Sequence, residues 1–287
     1  MKSLVWYKKE MIYLVLLLPC CNFVHMKLEL HDLYIGYNEE ADRHIVAETL
    51  NASLAEGTMA CLVGANGVGK STLMRTLSGF QPALRGEVRI DGRAIAEYTP
   101  RELSERVGVV LTERSSAAEL TVEEVVGIGR MPYTNFWGTL RTADHRAVDE
   151  AIGLVGIEAL RHKKIGRVSD GERQKVMIAK ALAQQTGIIL LDEPTAFLDY
   201  GSKVSVMRLL RRLAHEQGKA VLLSTHDLEI AFQTTDEVWI LQPDGLRTGT
   251  LDALEVHGAV SAFLAKSNLY YEAEGKRIII DSISGKL

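Results

Sequence analysis

The stretch Gly64-Ala65-Asn66-Gly67-Val68-Gly69-Lys70-Ser71 follows the pattern G-x-x-x-x-G-K-[ST], with an apolar strand pattern before it and an amphipathic stretch after it. Glycines at this spacing let successive backbone N–H groups turn toward phosphate oxygens, and the N-terminus of the following helix adds partial positive charge. Lys70 then reaches the β and γ phosphates of a nucleotide, and the Ser71 hydroxyl supplies a ligand for Mg²⁺. Asn66 within the loop and Thr72 just after it belong to the same candidate nucleotide-binding set as Gly64, Gly67 and Gly69. A second chemical element, Asp192-Glu193, ends the aliphatic run Ile188-Ile189-Leu190-Leu191. Such a run buries its strand, so both carboxylates emerge at its C-terminal end, where open parallel sheets bind ligands. There Asp192 can hold Mg²⁺ through water, while Glu193 can polarise the water that attacks a γ phosphate. An acidic pair ending a strand is, alone, as often a helix cap; the phosphate loop upstream decides for chemistry.

These residues need a scaffold, and strand and helix patterns alternate from Met26 onward. Leu28, Leu30 and Leu33 open a strand pattern, 58–63 reads as a buried strand, and 70–77 as an amphipathic helix. Strands are expected at 88–90, 107–111, 188–191, 220–223 and 238–241, and helices at 143–154, 172–184 and 203–215, the last with Val204, Met207, Leu210 and Ala214 on one face. Such alternation implies an α/β fold with a largely parallel sheet. The stretch from about 113 to 184 lacks a strong strand run and reads as a helical subdomain.

Composition narrows the class. Of 287 residues, 33 are Lys or Arg and 37 Asp or Glu, a net charge of −4, so no general basic field draws in nucleic acid or anionic lipid. Cys20, Cys21 and Cys61 give neither a disulfide framework nor zinc spacing, which makes a reducing compartment the default. The first residues oppose that default: Lys2, Lys8 and Lys9 precede an apolar run from Met11 to Cys21 with the outline of a signal peptide, too short to span a bilayer. Pro19 sits where a small residue should precede a lipid-modified Cys20. Residues 1–25 are read as a disordered leader or a mis-assigned start, with Met26 as the real beginning and a membrane-surface anchor as the rival reading.

Val168-Ser169-Asp170-Gly171-Glu172-Arg173-Gln174 stands just before a helical pattern and, taken alone, is a serine N-cap with early acids. Its position before Leu191-Asp192-Glu193 changes the odds, and here the chain resembles the ATP-binding cassette (ABC) ATPases. Val168 to Glu172 is similar to their signature motif, with Asp170 for the usual glycine and Glu172 for the usual glutamine. The resemblance runs from about Leu28 to Leu241. Within it Tyr37 looks like the aromatic that stacks on adenine, Asp199 matches the D-loop and His226 the switch histidine, although a surface tyrosine, a helix cap and a core histidine are the plain readings of each alone.

The resemblance implies a P-loop NTPase core with a mostly parallel sheet, an antiparallel β part near the N-terminus and an inserted helical subdomain. The cassette would span 26–249, with 250–287 as a C-terminal extension in which 277–281 reads as a strand. It also implies ATP and Mg²⁺ as cofactors, and a head-to-tail homodimer in which ATP is trapped between Lys70 and His226 of one chain and Ser169 and Gly171 of the other. In the family the strand corresponding to 107–111 ends in a glutamine that touches Mg²⁺. Here Thr112 takes its place and Glu113 follows, so either a water fills the gap or Glu113 joins Ser71 and Asp192 as a metal ligand, unless both side chains simply face solvent.

No transmembrane pattern follows residue 26, so the resemblance implies separate permease subunits and a periplasmic or lipoprotein substrate-binding protein, with this chain peripheral on the cytoplasmic face of the inner membrane. The segment from Gly127 to Gly138 looks like that of ATPases in iron-siderophore, haem and cobalamin importers; Pro132, Tyr133, Phe136 and Trp137 also read as a turn packed by aromatics. Two other classes share the ATP motifs. One is a soluble ABC ATPase of metal-cluster assembly. The other is a nucleic-acid-associated ABC ATPase, against which the sequence shows no second cassette, coiled-coil insertion or zinc motif.

Overall fold

A computed structural model describes residues 25–39, 42–111, 118–135, 137–265 and 268–280. The leader expected at the N-terminus lies, apart from His25, outside the described residues, as do Thr112 and Glu113. The chain opens with β1 (Met26–Glu39) and β2 (Asp42–Ala55), which pair antiparallel. Further along, β4 (Arg85–Ile90) and β5 (Arg93–Ala94) widen them into a sheet of order β2-β1-β4-β5. The central sheet takes β3 (Met59–Val63), β6 (Val107–Val110), β7 (Ile188–Leu191), β8 (Ala220–Ser224), β9 (Glu237–Gln242) and β10 (Gly245–Gly249). Its order is β10-β9-β3-β8-β7-β6, parallel throughout except for the edge strand β10.

These strands are aliphatic runs rather than alternating ones because they are buried on both faces. In β3, Met59, Cys61 and Val63 face one core while Ala60 and Leu62 face the other. The second core is closed by the antiparallel sheet and by Leu73, Met74 and Leu77 of α1 (Lys70–Leu77). The first is closed by helices: α3 (Val122–Gly127), α4 (Thr142–Val155), α5 (Asp170–Ala183), α6 (Tyr200–Gln217) and α7 (Leu228–Thr234). A short α2 (Pro100–Ser104) leads into β6. Among the described residues from 118 to 183 there are helices and 3-10 turns but no strand. The chain then ends in α8 (Leu251–Val256), α9 (Ala259–Ala265) and the hairpin β11 (Leu269–Glu272) with β12 (Arg277–Ile280). This last part packs on α7, where Tyr271 meets Phe232 edge-on with ring centroids 6.2 Å apart. No helix among the described residues is long and apolar enough to cross a membrane.

The α/β expectation holds, and α1 and β7 occupy the expected residues. Two helices begin earlier than the periodicity indicated, because polar residues cap them: α5 starts at Asp170 behind Ser169, and α6 at Tyr200 behind Asp199. Strand β2 was not legible. Its buried residues Ala47, Leu50 and Leu54 fall at helix-like intervals because irregularities interrupt the β1 register and Thr49 adopts a positive φ of 54°, which shifts the side-chain alternation.

Candidate active site

The strand order sets the site. β8 lies between β3 and β7, so the turn leaving β8 is held between the phosphate loop and the carboxylate pair. The loop leaves β3 and enters α1 through Gly69, whose φ of 110° suits glycine alone; a Cβ there would also stand 2.5 Å from Val46 of β2. Gly67 likewise has a positive φ, 78°. Lys70, only 7% exposed, donates from Nζ to the carbonyls of Gly64 (2.9 Å) and Ala65 (3.2 Å), which holds its ammonium inside the loop. Burial pushes its pKa below the ordinary lysine value, while the carboxylates of Glu193 and Asp192 across the sheet edge act in the opposite direction.

Ser224, the last residue of β8 and wholly buried, holds the Asp192 carboxylate and the Glu193 backbone with one hydroxyl. It donates to Asp192 Oδ1 at 2.6 Å and accepts from the Glu193 backbone N–H at 2.9 Å. The Asp192 N–H in turn donates to the Val110 carbonyl at the end of β6. Glu193 has a positive φ of 49°, a costly conformation for a non-glycine residue that the Ser224 contact helps to hold. Its Oε1 lies 2.7 Å from Nε2 of His226, two residues beyond β8. The next residue, Asp227, accepts from Thr195 Oγ1 and from Lys203 Nζ, each at 2.8 Å, and so ties the turn after β8 to the turn after β7 and to α6. On the other side, the Tyr37 hydroxyl is 3.1 Å from Thr72 Oγ1, which fixes a half-exposed ring beside the start of α1.

The structure therefore gathers Lys70, Asp192, Glu193 and His226 along one sheet edge, with Ser71 and Thr72 at the start of α1 and Tyr37 beside it. Ser169 and Gly171 are elsewhere in their bonding. Ser169 caps α5 in a reciprocal box with Glu172, and its backbone N–H holds that carboxyl below its ordinary pKa. A Cβ on Gly171 would come 2.8 Å from Ser202 Oγ, so α5 and α6 touch here. Asp199 caps α6 through the Ser202 hydroxyl and N–H, which in that order lower its pKa as well. No hydrogen bond among the described residues joins 168–172 to the phosphate loop. Sequence reasoning gave no role to Ser224 or Asp227. Their signal was faint, a serine closing an aliphatic strand and an acid next to the histidine.

A phosphate loop facing strand-end carboxylates across a parallel sheet places the chain among the P-loop nucleoside triphosphatases. Comparison with known proteins is narrower. The family model described as ABC transporter matches residues 47–196. An ABC transporter ATP-binding protein of Methanocaldococcus jannaschii is 38% identical over 215 residues, 75% of this chain and 73% of that protein. The ferric enterobactin transport ATP-binding protein of Escherichia coli is 36% identical over 205 residues, 71% of this chain and 74% of that protein. Among solved structures, the dimeric structure of a bacterial ABC transporter cassette matches with a TM-score of 0.67 at 26% identity, over 78% of this chain and 98% of that one. The chain belongs to the ABC transporter family of ATP-binding proteins; it binds nucleotide and is an ATPase.

Proposed function

We propose that this chain is the ATP-hydrolysing subunit of an importer for cargo of the iron-siderophore, haem or cobalamin type. It works as a homodimer on the cytoplasmic face of the cell membrane with permease subunits and a substrate-binding protein. The cargo class is supported by the similarity to a ferric enterobactin transport ATPase and by the segment from Gly127 to Gly138. Within that segment Arg130 is buried, bonded to Asp144 and to the Ala183 carbonyl, so it joins α4 to the end of α5 rather than offering a cargo contact.

The observation that carries the catalytic reading is the paired hold on Glu193, by Ser224 at its backbone and His226 at its carboxylate. Glu193 accepts a proton from the attacking water, and His226 orients that carboxylate while facing the γ phosphate. Lys70 neutralises phosphate charge, the backbone of Gly64, Asn66, Gly67 and Gly69 cradles it, Thr72 follows at the helix start, and Tyr37 offers its ring to the adenine. Ser71 and Asp192 fit a Mg²⁺ ion: a hydroxyl and a carboxylate are hard oxygen donors, and Mg²⁺ is commonly held by one or two side chains with substrate phosphates and water. That ion supplies charge neutralisation of the phosphates when bound. Ser169 and Gly171, at the start of α5, and Asp199 act on the nucleotide of a second copy.

The test separates binding from hydrolysis. Lys70→Ala should weaken ATP binding, whereas Glu193→Gln should keep binding and lose hydrolysis by roughly a hundredfold or more. Glu193→Gln with ATP and Mg²⁺ should elute as a dimer in size-exclusion chromatography, and a monomer at saturating nucleotide would sink the homodimer. Copurification from membranes with a polytopic permease supports import; a soluble scaffold protein in its place points to metal-cluster assembly.

A further inference from the structure

Away from the nucleotide site, a cleft of about 360 Å³ opens between α4, α5 and α6. Its wall includes Val155 of α4, Lys175 of α5, and Gly201, Ser205, Arg208 and Arg212 of α6. Among the described residues no carboxylate lines it, although the chain as a whole carries an excess of four acids. Arg208 is exposed and makes no hydrogen bond or ion pair with any described residue. Arg212 donates to the Leu154 carbonyl at the end of α4, which holds one edge of its guanidinium at the cleft. Lys175 acts electrostatically on Glu172, whose carboxylate is already committed to the N–H and hydroxyl of Ser169.

A solvated basic helix face is the plain account of such a charge set, yet three features oppose it. The cations come from two helices and face one concavity; Arg208 and Arg212 are like charges at i and i+4, which repel along a helix unless an anion stands between them; and the volume lies in the range of small-ligand sites, roughly 300–1,000 Å³. The guanidinium fork matches phosphate oxygens two at a time, and the lysine ammonium adds a point charge. We propose that this cleft binds a small, soluble, multiply charged phosphate compound through Lys175, Arg208 and Arg212. The cleft lies one helical turn behind the contact of Gly171 with Ser202, since Lys175 follows Gly171 by four residues and Ser205 follows Ser202 by three. A ligand there bridges α5 to α6 and tightens the seam that carries Ser169 on one side and Asp199 on the other.

Tripolyphosphate is the probe, titrated calorimetrically into the full chain carrying Lys70→Ala, which weakens competition from the phosphate loop. One equivalent should bind. Adding Arg208→Glu to that chain should weaken binding by about tenfold or more, as expected for reversing a charge next to a polyanion, while Arg208→Lys should retain most of it. The exposed position of Arg208 leaves the fold intact in either variant, which an unchanged melting temperature verifies. The proposal is overturned by absence of binding in the Lys70→Ala chain, or by a loss smaller than tenfold on Arg208→Glu. Arg208-dependent binding to vesicles containing phosphatidic acid, with none to tripolyphosphate, also overturns it in favour of a lipid headgroup.

Discussion

Replacing Ser224 with alanine removes the hydroxyl that bonds the Asp192 carboxylate and the Glu193 backbone at once. Asp192 Oδ1 loses a charge-assisted hydrogen bond of 2.6 Å, and the Glu193 N–H loses its acceptor at 2.9 Å in a site where Ser224 is 0% exposed. A hydrogen bond to a charged group contributes about 1.5–3 kcal/mol, and the part-buried Glu193 N–H left unsatisfied costs toward the lower end of about 1–3 kcal/mol. The positive φ of Glu193 then loses one of its restraints, and the turn relaxes toward an ordinary conformation. If about 1.5–3 kcal/mol of carboxylate positioning disappears from the transition state, kcat falls roughly ten- to a hundredfold, since about 1.4 kcal/mol is tenfold. Stability falls too, by roughly 2–4 °C in melting temperature for each kcal/mol in a chain of this size. The assay is phosphate release at saturating ATP and Mg²⁺, with KM for ATP and a thermal melt alongside. Ser224→Thr keeps the hydroxyl and should retain most of the rate. A kcat for Ser224→Ala within twofold of the parent would refute the idea that this hydroxyl sets the carboxylate geometry.

Three further outcomes are expected. Asp144 is held below the ordinary carboxylate pKa chiefly by the Arg141 N–H, with Arg130 adding to it, so its contribution is complete above about pH 3.9 and is lost as the pH falls through the lowered value. Accordingly, Asp144→Asn should cost about 3–5 kcal/mol in urea unfolding at pH 7 by leaving buried Arg130 without a counter-charge, its remaining bonds going to the Ala183 carbonyl and Gln185, with a smaller difference in the acid range. Burial pushes the Cys61 thiol up to about 12, so at pH 8 it should escape thiol reagents until the chain unfolds, as peptide mass spectrometry reads directly. If Glu113 ligates Mg²⁺, Glu113→Ala should raise the Mg²⁺ concentration for half-maximal hydrolysis and Thr112→Gln should be tolerated; an unchanged midpoint removes Glu113 from the metal site.

Contiguous chemistry was legible from the residues alone. The phosphate loop is an eight-residue pattern whose function rests on backbone groups and one lysine, and Asp192-Glu193 comes after an aliphatic run whose burial on both faces can be read directly. Even the N-cap reading of Ser169 was available, since Ser169 and Glu172 at three residues' spacing form a capping box by local geometry. By contrast, Ser224 is 32 residues from Asp192, and their hydrogen bond exists because β8 enters the sheet between β3 and β7. Local pattern shows that each strand is buried but not which neighbour covers it, because an aliphatic run packs equally well beside several others. Strand β2 was hidden for a related reason: its irregular pairing with β1 turns Ala47, Leu50 and Leu54 inward at helix-like spacing, and that pairing is a property of two strands, not one. The candidate site residues therefore lie in short segments of sequence. Which of them touch was decided by strand order, through long-range burial and the satisfaction of polar groups that have no local partner.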